Sequence, residues 1–311
     1  VNVFAPGKLV LTGAYAVLEG APSIVVATTR GAFADGSRLV LTATPEVHAA
    51  LGDGPAPHVD ASSLFLGARK LGLGASAAIL VASLAVREAE RGADLSSRAV
   101  RDALFTRARE AHARAQHGGS GVDVAASVYG GVLEYVPGRA ERAALPPGVV
   151  LSILACGTSA RTSELRAYVD GLAESAPAVH RMHMGALVTV AHDAANAART
   201  GDARLFIDAV QRTAEGLARL GAAAHVPIVP AGFEALADAA AAEGAAFCVS
   251  GAGGGDVAAF LGPARPSHAF LTRARQLGLF PLDVAVDEKG VRVVSQAAAF
   301  VAGPVESSSS T

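Results

Sequence analysis

Gly72-Leu73-Gly74-Ala75-Ser76-Ala77-Ala78 is a run almost without side chains that leads straight into an apolar helical stretch. With no Cβ at Gly72 or Gly74, backbone N–H groups can approach an anion closely. The helix that follows adds its own uncapped N–H donors and the positive end of its dipole, so the stretch reads as a cradle for phosphate. Ser76 offers a hydroxyl to Mg2+ or to a phosphate oxygen. Taken alone the same run also fits a tight turn with close packing, so its meaning depends on what accompanies it.

The rest of the chain narrows the choice. With 311 residues, 51% of them hydrophobic, it can bury a large core and is long enough for two domains. A net charge of -2 gives no bulk attraction for nucleic acid or an anionic membrane, so neither is expected as a partner. No apolar run approaches the length of a membrane span, and Val1 to Gly7 lacks the charged and apolar regions of a signal peptide, so a cytoplasmic protein is expected. Cys156 and Cys248 sit in apolar strand-like contexts, which predicts buried free thiols rather than a disulfide or metal site. The tail 305–311 ends in four serines and a threonine, cannot bury surface, and is expected to be disordered. No sequence feature fixes the oligomeric state.

Arginine serves almost everywhere that a positive charge is used: of the 26 basic residues, only Lys8, Lys70 and Lys289 are lysines. Lys8 lies in Ala5-Pro6-Gly7-Lys8 and Lys70 lies two residues before the glycine run, whereas Lys289 sits in an Asp-Glu-Lys-Gly turn. A compact ammonium can reach one phosphate oxygen in a tight loop, where the wide guanidinium fork fits less well. Chance placement on the surface is the competing explanation.

Apolar and β-branched runs predict strands over residues 1–4, 9–12, 24–28 and 39–44, separated by Pro/Gly turns, with 45–63 as a connection. Helical spacing follows over 76–91, 96–116 and 122–129, then a strand over 132–136. After Pro146-Pro147-Gly148 a strand over 149–155 is followed by Ala-rich helices at about 163–176, 178–200, 202–222 and 231–243. Strands over 245–249, 256–261, 281–287 and 291–295 and a helix over 266–277 complete the pattern. The fold class is α+β in two domains, 1–147 and 148–304.

Two more glycine runs stand out. Ser250-Gly251-Ala252-Gly253-Gly254-Gly255-Asp256 lies between two predicted strands, where so much glycine implies a closely approaching ligand or backbone. Gly118-Gly119-Ser120-Gly121-Val122-Asp123 opens a short apolar helix with Asp123 in its first turn. That carboxylate either caps backbone N–H groups or orients or deprotonates an acceptor.

In their order along the chain, these four runs resemble those of the GHMP small-molecule kinases, and together they span residues 5 to 256. The resemblance implies an N-terminal domain of the ribosomal protein S5 domain 2 type, a ferredoxin-like C-terminal domain, and an ATP site between them. Within the superfamily the chain is most similar to the phosphomevalonate kinase branch. Lys70 ahead of the glycine loop, Ala111-His112 followed by Gln116, and Asp256 closing the last glycine run carry that similarity. Mevalonate kinases usually have a metal-binding Glu where this chain has His112. The segment Gly157-Thr-Ser-Ala-Arg161-Thr162-Ser163-Glu-Leu also resembles that branch, although Thr162 or Ser163 equally suits an ordinary helix N-cap.

The resemblance implies transfer of the ATP γ-phosphoryl group to phosphomevalonate or a similar small anion, with Lys8 and Asp123 as catalytic residues. Lys70, Gly72, Leu73, Gly74, Ala75, Ser76 and Ala77 would hold the nucleotide, and Ser76 would hold Mg2+. Tyr15, His112, Gln116, Ser120, Gly121, Arg161, Thr162, Ser163, Gly253 and Gly254 would hold the acceptor. Two departures are visible: Ala75 replaces the first of two serines usual in the family, and the stretch ahead of the glycine loop is short for the branch. A mevalonate kinase or another GHMP kinase, a diphosphomevalonate decarboxylase and a non-catalytic nucleotide-binding homologue remain open at this stage.

Overall fold

A computed structural model describes residues 1–116, 118–157 and 162–295. Its first half runs β1 (Asn2–Thr12), β2 (Ser23–Val40), α1 (Pro45–Leu51), β3 (Ala56–Asp60), β4 (Phe65–Leu66), β5 (Arg69–Lys70), α2 (Ala75–Glu90), α3 (Arg98–Ala115), α4 (Val122–Tyr129), β6 (Val132–Val136) and β7 (Arg139–Ala143). The second half runs β8 (Val150–Ala155), α5 (Thr162–Ser175), α6 (Pro177–Thr200), α7 (Ala203–Ala223), α8 (Phe233–Ala242), β9 (Ala246–Val249), β10 (Val257–Gly262), α9 (His268–Gln276), β11 (Phe280–Leu282) and β12 (Arg292–Val294).

Two antiparallel sheets organise these elements. The first has the order β12-β1-β2-β6-β7, with β3 paired to the far part of β2. The second has the order β11-β8-β10-β9, so the strands of that half lie fourth, first, third, second, the ferredoxin-like arrangement. Helix α2 packs on β1 and β2 and also touches α3 and α4. Its residues Ala77, Ala78, Leu80, Val81, Leu84 and Ala85 are fully buried, and the alanines let neighbouring elements come close. This central position fixes the N-terminus of α2, and with it the glycine loop, against β1.

Several expectations are corrected. The Pro6-Gly7 pair is not a turn: β1 runs through it as a bulge, with the register to β2 shifting between Pro6 and Gly7. A Cβ on Gly7 would lie 2.5 Å from the Leu73 carbonyl oxygen, so glycine is needed where β1 passes the 72–78 loop. The strands expected over 24–28 and within 39–44 are parts of one long β2, which ends at Val40. Residues 45–63 hold α1 and β3 rather than a bare connection, because the Thr44 hydroxyl accepts the Val47 N–H and Pro45 suits the first helical position. Strand β7 was not expected, since its Arg-Ala-Glu-Arg-Ala sequence is a charged edge strand with only Ala140 buried. The strands expected over 281–287 and 291–295 shrink to three residues each, and β12 pairs with β1 in the first sheet.

Cys156 and Cys248 are buried and free, and burial pushes both thiols up to about 12, which keeps them unreactive. Among the described residues no helix is long and apolar enough to cross a membrane. The 305–311 tail lies outside the described residues.

Candidate active site

Strand β1 carries Lys8 directly against the glycine loop. Its backbone N–H donates to the Leu73 carbonyl at 2.8 Å, and its Nζ donates to the Gly72 carbonyl at 3.1 Å. Gly72 and Gly74 both have positive φ, +70° and +77°. A Cβ on Gly74 would stand 2.8 Å from Lys8 Cγ, and one on Gly72 would stand 2.4 Å from Asp256 Cβ. Each glycine is therefore required by a side chain that crosses it. Gly74 is the N-cap of α2 and no side chain caps that end, as an anion cradle requires. Leu73, Ala75 and Ala77 have buried side chains, so their contribution to a nucleotide is limited to backbone groups.

Burial pushes the Lys8 ammonium below the usual lysine value, and the carboxylates of Asp123 and Asp256 act in the opposite direction. Asp256 closes the 250–256 loop, which is the turn between β9 and β10. That loop is bolted to the first half at two points: Ser250 Oγ accepts the Val10 N–H at 2.9 Å, and the Tyr15 hydroxyl donates to the Ala252 carbonyl at 3.0 Å. Tyr15 is buried with φ of +60°, a strained conformation for a non-glycine residue, and burial followed by Asp170 raises its pKa. Gly253 and Gly254 face backbone rather than open space: a Cβ on Gly253 would lie 2.1 Å from the Ile228 carbonyl oxygen, to which Gly254 N–H donates at 2.8 Å.

Three helices send one polar side chain each to a common point. Asp123, in the first turn of α4, accepts the Val124 N–H through Oδ1 at 2.9 Å and places Oδ2 3.7 Å from His112 Nε2. His112, from α3 and 7% exposed, has the same Nε2 3.2 Å from Ser76 Oγ on α2. Asp123 thus caps a backbone group with one oxygen and faces the cluster with the other. Around it, Gly121 is the left-handed N-cap of α4, Ser120 Oγ accepts the Val122 N–H at 3.4 Å, and the Tyr135 hydroxyl donates to the Ser120 carbonyl.

The remaining expected residues are placed less centrally. Gln116 gives its amide to Glu46 at 2.6 Å. Lys70 is exposed at the end of β5, while its neighbour Arg69 donates to the Gly157 carbonyl and ties the two halves together. Thr162 and Ser163 are exposed in the first turn of α5, and Arg161 lies outside the described residues. Sequence reasoning missed Arg166, whose guanidinium would be 3.5 Å from a Cβ on Gly118 and which pairs with Asp170 at 3.5 Å. No local pattern marks it; only the docking of α5 against the 118–121 loop does.

Among the described residues no three His, Cys, Asp or Glu side chains cluster as a metal cage. The Ser76 hydroxyl, in the first turn of α2, is an oxygen donor of the kind that suits Mg2+ arriving with nucleotide phosphates, so it fits that ion.

The fold is that of the GHMP small-molecule kinases. No family model matches the chain. In sequence it is similar to phosphomevalonate kinase from Streptomyces sp. (strain CL190), 29% identical over 252 residues that cover 72% of this chain and 66% of that kinase. The chain thus spans about two thirds of that relative's length. Among solved structures it is similar to the Lin0012 protein from Listeria innocua, with a TM-score of 0.83, 20% identity, and coverage of 94% of this chain and 99% of that one. It also resembles Streptococcus pneumoniae phosphomevalonate kinase in complex with phosphomevalonate and AMPPNP, with a TM-score of 0.74, 17% identity, and coverage of 92% and 99%.

Proposed function

We propose that the chain transfers the γ-phosphoryl group of ATP to phosphomevalonate, giving diphosphomevalonate and ADP, as a cytoplasmic enzyme of the mevalonate isoprenoid pathway. The observation that carries this reading is the delivery of Lys8 by β1 onto the carbonyl of Gly72, beside the uncapped start of α2. Residues 1–147 would form the ATP-binding domain and 148–304 the second domain, with β12 completing the first sheet.

In phosphoryl transfer the protein mainly positions reactants and neutralises charge. Backbone N–H groups at 72–77 would hold the β- and γ-phosphates. Mg2+, when bound, would neutralise their oxygens, with the Ser76 hydroxyl among its ligands. An oxygen of the acceptor phosphate forms the new bond to the γ-phosphorus as the bond to the β–γ bridging oxygen breaks, and ADP departs with that electron pair. Lys8 stabilises the negative charge between donor and acceptor. A phosphate monoester has a second pKa of about 6 and is already ionised at neutral pH, so no base is needed. Asp123 accordingly orients Lys8 and the acceptor rather than removing a proton. Arg166, beside the 118–121 loop, supplies a second positive charge suited to an anionic acceptor.

A coupled ADP-release assay with mevalonate, phosphomevalonate and diphosphomevalonate tests the reading. ADP is expected with phosphomevalonate alone. Turnover of mevalonate would make the chain an alcohol kinase, CO2 release from diphosphomevalonate would make it a decarboxylase, and no ADP with any acceptor would overturn the kinase reading.

A further inference from the structure

We propose that Glu46 is a positioning residue for the transfer site, holding the last turn of α3 so that His112 stays between Ser76 and Asp123; this rests on the phosphoryl-transfer reading of the cleft. Glu46 lies in the first turn of α1 and is only 6% exposed. Its Oε1 accepts the Gln116 amide at 2.6 Å. Burial pushes its carboxyl up, but its own backbone N–H, the Gln116 amide, the Thr44 hydroxyl and the charge of nearby His112 outweigh burial and hold it below the usual carboxylate value. The hydrogen bonds that it accepts favour its charged form despite the burial.

The grip is made at two points. Arg114 donates to the Ala49 carbonyl at 2.8 Å, so α1 holds α3 both there and at Gln116. The Gln116 N–H in turn closes on the His112 carbonyl at 3.0 Å. The clamp therefore falls one turn after His112 and immediately before the 118–121 loop that leads to Asp123. Helix ends fray when nothing ties them, and here the final turn carries the imidazole that meets both Ser76 Oγ and Asp123 Oδ2. Helix α1 is a seven-residue bracket whose buried acid accepts the Gln116 amide at the end of α3.

The test compares Glu46→Ala, Glu46→Gln and the double variant Glu46→Ala/Gln116→Ala in the full chain. Glu46→Ala is expected to lower kcat about tenfold to a hundredfold, the cost of an ångström-scale misplacement near the chemistry. ADP affinity by calorimetry should change less than about threefold, because the phosphate cradle is untouched. Glu46→Gln, which still offers an oxygen to the Gln116 amide, should keep most of the activity, and the double variant should be no worse than the poorer single one. The imidazole 15N resonances of His112 should move in Glu46→Ala and much less in Glu46→Gln. Unchanged kcat with unmoved His112 resonances in Glu46→Ala would overturn the proposal, as would a kcat loss matched by an equal loss of ADP binding. A wild-type protein that turns over no acceptor would overturn the kinase reading instead, and the His112 resonances would still decide the placement.

Discussion

The loops at 72–78 and 250–256 are alike in composition and both border Lys8, yet they need glycine for different reasons. In the first, the missing Cβ atoms make room for the side chains of Lys8 and Asp256, and the loop ends in an uncapped helix. In the second, Gly253 makes room for the backbone of Ile228, and the loop is pinned to β1 through Ser250 and to Tyr15 through Ala252. One loop is shaped around movable side chains and the other around fixed chain. Substitution in the first should therefore damage chemistry, and substitution in the second should damage the fold.

Lys8 tests the functional side of that contrast most severely. Lys8→Met is expected to lower kcat about a thousandfold, the scale of removing one preorganised charge-stabilising group, with little change in ATP binding. A retained kcat would remove Lys8 from the mechanism. In the proposed mechanism the protonated ammonium is the active form, so wild-type kcat should fall as pH rises through a Lys8 pKa that burial holds below 10.5. The residual activity of Lys8→Arg should lack that alkaline limb, because arginine stays charged.

A matched pair of alanines tests the contrast itself. Gly253→Ala adds a Cβ 2.1 Å from a backbone oxygen at φ of +85°, and denaturant unfolding should show a loss of about 3 kcal/mol. Gly74→Ala displaces the flexible Lys8 side chain instead: about 1 kcal/mol of stability and about tenfold in kcat should be lost. Equal stability losses in the two would erase the distinction between the loops. The smallest effect concerns Glu46, whose folded pKa is depressed below 4.5. Its stabilisation is present above pH 4.5 and disappears as pH falls through the depressed folded value, so Glu46→Gln should flatten the acid side of a Tm–pH curve.

What the sequence could convey depended on how local the cause was. Helix α4 and strand β6 were readable to the residue because an apolar run, a Gly130-Gly131 break and a β-branched run follow one another. The Pro6-Gly7 pair misled because its turn-like composition answers a tertiary need, the passage of β1 beneath Leu73. The glycine loops, Lys8 and Asp123 could be picked out because short runs surround them, and His112 through the resemblance those runs carry. Glu46 and Arg166 could not, since each sits on a helix whose own sequence marks nothing, and only packing against α3 or the 118–121 loop sets it beside the site.

The pairing of β12 with β1 has a consequence for synthesis. The strand that bears Lys8 gains β2 as a neighbour within the first 40 residues, but its other edge stays open until Arg292–Val294 have been made. Asp287, Lys289 and Val291 then tie down the approach to that edge, through bonds with Ala27, Gly131, Arg101 and Val128. On the ribosome, the nascent N-terminal sheet therefore spends most of translation with an unpaired margin, the kind of surface that recruits other strands. A stop codon between residues 283 and 291 would leave the second sheet complete and the first unsealed, and aggregation of such fragments would begin at β1.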